Sequence, residues 1–372
     1  MQYLMVSDLG FIAVMLLGMS ISMSSTSWLF MWAGMEVSLV GFLPLVCGSS
    51  VFSRGGVGSS ESCMKYFIVQ VVGSSLLFLG GFSVYSVSKM WDLVLWGDLK
   101  GIVFYSGPLM VIFGLGIKLG VFPFHFWVPS VMAGMGWLGC LVFTSLHKIV
   151  PVMFLCVVVK SWDSGSFMMP MLVSSVGSSI IGGLGGINQT SIRGLLGYSS
   201  INHMGWVLMC MISGMSAVVF YLGFYVLLSF IVFMVLWVMG CEKVSDINGS
   251  YYGSGGLDRL LVGLVILSYM GMPPFLGFSV KWFAISSLVE VFSFSIYSCF
   301  YIFLMFLGSL MSLSYYLGVF VSLVMSGSGS FVKRGSVVDM NFWQLGLVVS
   351  VFVGSFLLGM WLVFGGLSVY LG

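Results

Sequence analysis

Charged residues are scarce in this sequence. The 372 residues include 13 lysines and arginines and 11 aspartates and glutamates, or 6% charged residues, whereas a soluble domain carries about 25%. The hydrophobic fraction is 59% and the mean hydropathy is +1.14. These values exclude a soluble enzyme, a nucleic-acid-binding protein and a disordered chain. The sequence therefore predicts a polytopic integral membrane protein.

Motifs for metals, cofactors and targeting are also missing. The seven cysteines contain no CxxC pair, so we expect them to pack as apolar side chains rather than form a disulfide framework or hold a metal. The segment Gly114-Leu115-Gly116 lacks the third glycine of a dinucleotide fingerprint, so we expect no NADH binding by this chain. The N-terminus resembles neither a signal peptide nor a transit segment. The first apolar stretch is therefore expected to be a retained helix.

Long apolar runs are what the sequence does contain. They predict an all-α transmembrane helix bundle with about eleven spans, because membrane-embedded backbone must satisfy its own hydrogen bonds. The spans are 3–23, 27–48, 63–86, 104–122, 137–159, 168–188, 198–214, 216–240, 259–288, 293–323 and 345–366. We expect one transmembrane domain over residues 1–372, with no soluble domain.

Basic residues are distributed unevenly between the two sides of this bundle. If the N-terminus faces the positive-rich side, that side receives Arg54, Lys65, Arg193, Lys243, Arg259, Lys333 and Arg334. The other side receives Lys89, Lys100 and Lys160. Cytoplasmic or matrix loops carry the excess of Lys and Arg, so the sequence predicts an N-terminus on the inner side.

Four titratable side chains remain inside predicted spans, and each comes from a different span. They are Glu36, Lys118, Lys148 and Lys281. A charge near the bilayer centre costs at least about 2.5–3.5 kcal/mol, so it usually faces a polar pathway or a partner. No catalytic triad or metal-ligand cluster accompanies them, which favours proton or cation movement over bond-making chemistry. Structural ion pairs or snorkelling side chains are the alternative reading.

Two spans are predicted to be broken close to these lysines. Pro123 and Pro129 follow Lys118, and Pro273-Pro274 precedes Lys281. Proline removes a backbone donor and clashes with the preceding helical turn, and discontinuous helices often mark ion sites in transporters. A simple kink is the alternative. We also expect Glu36 and Lys118 to form a pair whose protonation can switch.

Three further side chains are weaker candidates for proton transfer. His125 and His203 titrate near neutrality when unperturbed, although a packed histidine is the alternative for each. Lys65 lies four residues after Glu61, so the two can pair on one helix face, and that pair is as compatible with a surface contact as with a function. His147 adjoins Lys148 but points roughly 100° away around the helix, so adjacency alone does not link them.

Several stretches of the chain resemble a known family. They are Phe122–Pro129, Gly185–Thr190 with Arg193, Gly197–Trp206, and Met272–Phe278 with Lys281. Together they resemble the NADH dehydrogenase subunit 2 family, the antiporter-like subunits of mitochondrial respiratory complex I. The resemblance runs with gaps from about residue 28 to 285, and beyond 290 it is limited to hydropathy.

The resemblance implies a function and a location. The chain would be a multi-pass proton-translocating subunit of the inner mitochondrial membrane, with its N-terminus in the matrix. Glu36, Lys118, Lys148 and Lys281 would occupy the family's proton-transfer positions. The chain would bind no cofactor itself, and other subunits would hold NADH, FMN, the iron–sulfur clusters and ubiquinone. Its partners would be other membrane-arm subunits of complex I and the lipid bilayer, with no nucleic acid.

The chain departs from this family's pattern at three positions. Ser130 stands where a carboxylate is frequent, His147 stands where glutamine is usual, and Gly194 stands where a second basic residue is usual. None of them removes a buried charge, but His147 changes the hydrogen bonding around Lys148. Two other functions stay open from the residues alone: a stand-alone cation/proton antiporter, and a non-pumping structural subunit of the membrane arm.

Overall fold

The computed structural model describes residues 6–48, 52, 57–93, 102–161, 165–239, 256–273, 275–292, 296–325 and 354. These residues form thirteen helices and no strand, and isolated bridge positions such as the pair Ser27 and Asp92 are the nearest approach to one. The helices are α1 (Val6–Ser24), α2 (Trp28–Gly48), α3 (Val57–Ser88), α4 (Ile102–Leu119), α5 (Trp127–Gly134), α6 (Trp137–Thr144), α7 (Leu146–Ser161), α8 (Gly165–Gly186), α9 (Ile192–Ser213), α10 (Met215–Met239), α11 (Gly256–Met270), α12 (Leu276–Phe292) and α13 (Ile296–Met325). The predicted all-α fold is confirmed.

Seven helical segments of the described part are long and apolar enough to cross a membrane. They are Ser7–Ser24, Trp28–Gly48, Gly58–Ser88, Trp137–Ser161, Met168–Gly186, Met215–Trp237 and Ser298–Ser322. A shorter apolar helix runs from Ser106 to Leu119. The other predicted spans are α9, which carries several polar residues, and the pair α11 and α12, which are short because the chain breaks between them. The last predicted span, 345–366, lies outside the described residues except for Gly354.

Both predicted helix breaks are present. After α4 the chain leaves the helix at Gly120, whose φ of +67° belongs to the left-handed region, and it resumes helical structure only at Trp127. The second break separates α11 from α12, beginning at Gly271 with φ +89°. Glycine enters this region without the steric cost that a Cβ brings.

The predicted span 137–159 is present as Trp137–Ser161, but it is divided into two helices. α6 ends at Thr144 and α7 begins at Leu146, because Ser145 adopts φ −97° and ψ −77°. The hydroxyls of Thr144 and Ser145 donate to the backbone carbonyls of Cys140 and Leu141, at 2.9 and 2.6 Å. Hydroxyl groups that bind carbonyls of the preceding turn compete with the helical ladder and bend it. The break places Lys148 in the first turn of α7.

The helices pack closely through glycines, as the small-residue content predicts. A Cβ on Gly34 of α2 would lie 2.6 Å from the carbonyl oxygen of Gly18 in α1. A Cβ on Gly80 of α3 would lie 2.7 Å from the carbonyl oxygen of Gly107 in α4. Larger residues at these positions would force the helix pairs apart.

The expectation that the cysteines form no disulfide is wrong for one pair. Cys47 at the end of α2 and Cys63 near the start of α3 are joined by a disulfide bond, with their Cα atoms 6.2 Å apart. Their spacing of 16 residues carries no motif, and the antiparallel packing of α2 on α3 brings them together. Cys140, Cys156 and Cys210 are buried as expected. Cys299 is exposed, and Cys241 lies outside the described residues.

Candidate functional site: buried charges along the bundle

The expected pair of Glu36 and Lys118 is present. The Lys118 Nζ atom donates to Glu36 Oε1 at 2.8 Å, linking the end of α4 to the middle of α2. The Lys118 side chain is 3% exposed and the Glu36 side chain 26% exposed. Gly73 of α3 leaves room for the lysine stem, since a Cβ there would lie 2.9 Å from Lys118 Cγ. The pair therefore joins a fully buried cation to a carboxylate that is open on one side.

A small cavity adjoins this pair and reaches the next lysine. Its volume is about 20 Å³, which is enough for one water molecule. The residues that line it come from α1, α2, α3, α4, α6 and α7, and its polar members are Ser38, Tyr66, Gln70, Lys118, His147 and Lys148. Two of the buried lysines therefore face a common polar cavity.

Lys148 is the least compensated of the buried cations. The residue is 4% exposed, and its Nζ atom has no hydrogen-bond partner among the described residues. The aromatic ring of Tyr225 in α10 lies beneath it, with 5.9 Å from Nζ to the ring centroid. A buried charge without a close partner is costly. Lys148 is thus suited to give up and regain a proton.

His203 lies beyond Tyr225, in a group of tyrosines. Its Nδ1 atom is 3.1 Å from the hydroxyl of Tyr221, and its ring centroid is 5.2 Å from that of Tyr225 and 4.9 Å from that of Tyr269. The charges of both Lys148 and Lys281 act electrostatically on this imidazole. His203 therefore packs against Tyr225, the ring that also lies beside Lys148, and an imidazole can exchange a proton at either nitrogen.

Lys281 is held by the second broken helix. Its Nζ atom donates to the backbone carbonyl oxygen of Met270 at 2.7 Å. Met270 is the last residue of α11, where carbonyl groups have no partner within the helix. The ammonium also lies over the ring of Trp206, 6.0 Å from its centroid. The break at Gly271 therefore supplies the acceptor that lets Lys281 remain buried.

The remaining two candidates lie apart from these groups. The contacts of His125 in the described structure are with Pro123, whose carbonyl oxygen is 3.2 Å from Nδ1, and with the rings of Phe122 and Phe126. Lys65 forms the expected pair with Glu61, at 2.6 Å, and both side chains are exposed, 47% and 63% respectively. Neither residue lines the cavity or contacts a buried lysine in the described structure.

Several tyrosines near the buried titratable groups were missed in the sequence. They are Tyr66, Tyr221, Tyr225 and Tyr269. The spacing of Tyr221 and Tyr225 by one helical turn inside an apolar span was the available signal, since residues four apart share a helix face. Tyr66 and Tyr269 carried no such pattern. Aromatic residues are common throughout this sequence, and packing alone explains most of them.

Arg193 is buried, although the count of basic residues on each side of the bundle treated it as a residue of the inner side. It is 3% exposed rather than in a solvated loop, its Nη1 atom donates to the carbonyl oxygen of Met135 at 2.6 Å, and its guanidinium lies 4.9 Å from the ring centroid of Trp137. It connects the start of α9 to the joint between α5 and α6. Arg193 therefore contributes to packing. A buried arginine is weaker evidence for the orientation of the chain in the membrane than an arginine in a loop.

Metal chemistry has no candidate in the described residues. No group of three or more His, Cys, Asp and Glu side chains lies close enough together there to hold an ion.

Comparison with known proteins gives one consistent result. Residues 25–312 match the family described as NADH:quinone oxidoreductase/Mrp antiporter, TM. NADH-ubiquinone oxidoreductase chain 2 of Anopheles gambiae is 33% identical over 76% of this chain and 76% of its own length. The protein of the same name from Branchiostoma lanceolatum is 30% identical over 94% of this chain and 96% of its own length. Among solved structures, a chain of respiratory complex I from Thermus thermophilus with bound Aureothin shares the fold, with a TM-score of 0.79 and 22% identity over 97% of this chain and 79% of that chain.

Proposed function

Since the chain belongs to the NADH-ubiquinone oxidoreductase chain 2 family, within the NADH:quinone oxidoreductase/Mrp antiporter proteins, we propose that it translocates protons as a membrane-arm subunit of respiratory complex I. Its membrane is the inner mitochondrial membrane, and its partners are the neighbouring membrane-arm subunits and lipid. NADH, FMN, the iron–sulfur clusters and ubiquinone are bound by other subunits. The whole chain acts as one transmembrane domain.

The burial of Lys148 carries this proposal. A structural lysine in an apolar bundle is expected to have a carboxylate or carbonyl partner, as Lys118 and Lys281 do. Lys148 has no hydrogen-bond partner among the described residues, yet it faces a polar cavity on one side and the ring of Tyr225 on the other. These contacts suit a group whose charge state changes.

The proposed route joins the buried titratable groups in turn. A proton passes from the pair Glu36–Lys118 through the cavity to Lys148. It then passes to His203 and on to Lys281, next to the tyrosines of α10 and α11. Lys65 and His125 lie outside this route.

The energy required is compatible with such groups. Moving one proton against about 150–180 mV costs about 4 kcal/mol, at 2.3 kcal/mol per 100 mV. A change of about three pKa units in one group corresponds to the same free energy. Electron transfer in other subunits supplies this energy as a change in electrostatics or hydration around the lysines.

With the N-terminus in the matrix, as the loop charges favour, Glu61 and Lys65 lie on the matrix side.

The test compares two lysines of one helix. Lys148→Met and Lys160→Met both remove an amine from α7, but Lys160 is exposed at the end of the helix. In the assembled complex in sealed vesicles, K148M is expected to lower the number of protons pumped per NADH oxidised, because an uncharged side chain interrupts the route. K160M is expected to leave this ratio unchanged. An unaltered ratio in assembled K148M would show a non-pumping structural subunit instead.

One alternative function has support in the family description, which includes the Mrp antiporters. A stand-alone antiporter would exchange cations for protons in purified form without NADH. It would also migrate alone on a native gel after mild detergent extraction. We expect instead that the chain migrates with an assembly that oxidises NADH.

A further inference from the structure

His147 is held in a defined place beside Lys148. It lies in the first turn of α7, and its ring packs against two aromatic rings from other helices. The centroid of Phe42 in α2 is 4.3 Å away and that of Tyr66 in α3 is 6.3 Å away. The ring is therefore fixed by packing that involves three elements.

The imidazole lines the cavity shared by Lys118 and Lys148. Its Nε2 atom is buried and has no hydrogen-bond partner among the described residues. A leucine at this position would fill the space without leaving a buried nitrogen unsatisfied. Packing alone therefore does not explain a buried Nε2 atom at this position.

The charged and titratable groups around His147 come from each neighbouring element. Lys118 of α4 acts on the ring electrostatically, and Glu36 of α2 is bonded to that lysine. Tyr66 belongs to α3, and Lys148 is the next residue of α7. Two ammonium groups that face one small cavity repel each other. A neutral imidazole between them can accept a proton from one side without placing two full charges on the lysines at once.

We propose that His147 is a proton carrier between Lys118 and Lys148, an inference that rests on the proposed function. In the first step an N–H bond of the Lys118 ammonium breaks and a bond from Nε2 to that proton forms, which leaves a neutral amine and an imidazolium. In the second step the Nε2–H bond of the imidazolium breaks and a bond from that proton to the Lys148 Nζ atom forms, which leaves a neutral imidazole and an ammonium. A single water molecule in the cavity can relay either transfer and is regenerated unchanged.

The experiment replaces the ring by an apolar side chain that fills the same space and carries no proton. In the assembled complex in sealed vesicles, His147→Leu is expected to lower the pumping rate at least tenfold, within the range by which acid–base groups accelerate proton transfer. NADH oxidation by a soluble electron acceptor is expected to continue at the wild-type rate. Lys160→Met, on the same helix but exposed, is the control and should leave both rates as in the wild type.

The other outcomes each decide the question. Wild-type pumping in H147L, together with failed pumping in K148M, would overturn the carrier role while the proposed function stands. Normal pumping in K148M would remove the proposed function itself. His147→Met gives a second uncharged replacement of similar size. If both H147L and H147M fail to assemble, the ring is needed for packing and the carrier proposal is wrong.

Discussion

At the scale of single residues, the three buried lysines differ in how their charge is compensated. Lys118 has a carboxylate, Lys281 has a backbone carbonyl, and Lys148 has an aromatic ring and a cavity. A buried ion pair repays its desolvation only with good geometry and further hydrogen bonds. Lys148 has the weakest compensation, so it loses its proton at the lowest cost in free energy. It stands between Lys118 and Lys281 in the proposed route.

The pair at the start of the series leads to a prediction about Glu36. Glu36→Gln removes the carboxylate and leaves the Lys118 ammonium buried against a neutral amide. Breaking a fully buried pair costs about 3–5 kcal/mol, and because Glu36 is partly exposed we expect about 1–3 kcal/mol. Thermal unfolding of the purified complex should show a lower midpoint, and pumping should fall while NADH oxidation by a soluble electron acceptor continues.

Glu61→Gln is the matched control for this change. It removes the carboxylate of an exposed i,i+4 pair, and such pairs contribute about 0.3–0.5 kcal/mol. Pumping and the unfolding midpoint of E61Q should match the wild type. Equal effects of E36Q and E61Q would mean that burial of the pair is not what matters.

At the scale of secondary-structure elements, the breaks in the helices position the chemistry. The end of α11 provides the carbonyl oxygen that binds Lys281, and the bend at Ser145 places His147 and Lys148 in the first turn of α7, facing the cavity. A continuous helix would satisfy its own carbonyls and offer none to a side chain. The breaks are therefore part of the site.

The second break leads to a prediction about Gly271. Its φ of +89° costs an L-residue about 1–2 kcal/mol, and a Cβ there would lie 2.9 Å from the carbonyl oxygen of Gly277 and 3.2 Å from Lys281 Nζ. Gly271→Ala is expected to displace Lys281 from the carbonyl of Met270. The unfolding midpoint and the pumping rate should both decrease.

Gly223→Ala serves as the control for a glycine in the bundle. No atom lies within 4 Å of a Cβ built at this position in α10. Alanine in a helix interior is more stable than glycine by about 0.5–1 kcal/mol. G223A is expected to be neutral or slightly stabilising, and a loss of pumping in G223A equal to that in G271A would contradict the local explanation.

At the scale of the whole molecule, the proposed proton route needs groups from helices that are far apart in the sequence. Glu36 belongs to α2, Lys118 to α4, Lys148 to α7, His203 to α9 and Lys281 to α12, and residues of α1, α3 and α6 complete the cavity. Helices far apart in the sequence contribute successive groups. The function therefore depends on the packing of the complete bundle, and no single segment contains it.

The orientation of the molecule gives a prediction at the same scale. Glu61 lies in the first turns of α3 and Lys89 follows its last residue, so the two lie at opposite ends of one span. In sealed vesicles with the matrix side outward, a membrane-impermeant thiol reagent should label Glu61→Cys and spare Lys89→Cys. The reverse pattern would place the N-terminus outside the matrix.

Much of the structure of this protein can be predicted from its sequence because burial in lipid allows few backbone conformations. Where backbone groups have no water, apolar runs must become helices, and a charge kept inside such a run must have a use or a partner. The sequence therefore predicts the burial of Glu36, Lys118, Lys148 and Lys281 within helices, and the two helix breaks marked by proline. It also predicts the contact between Glu36 and Lys118.

Other features depend on side chains from distant helices meeting in space, and no local pattern encodes them. The disulfide between Cys47 and Cys63, the bend at Ser145 and the burial of Arg193 are of this kind. So is the cavity that His147 lines together with both lysines, although the helical wheel directs it away from Lys148. Hydropathy reports how deep a residue lies in the membrane, whereas the packing of helix on helix determines which neighbour it faces.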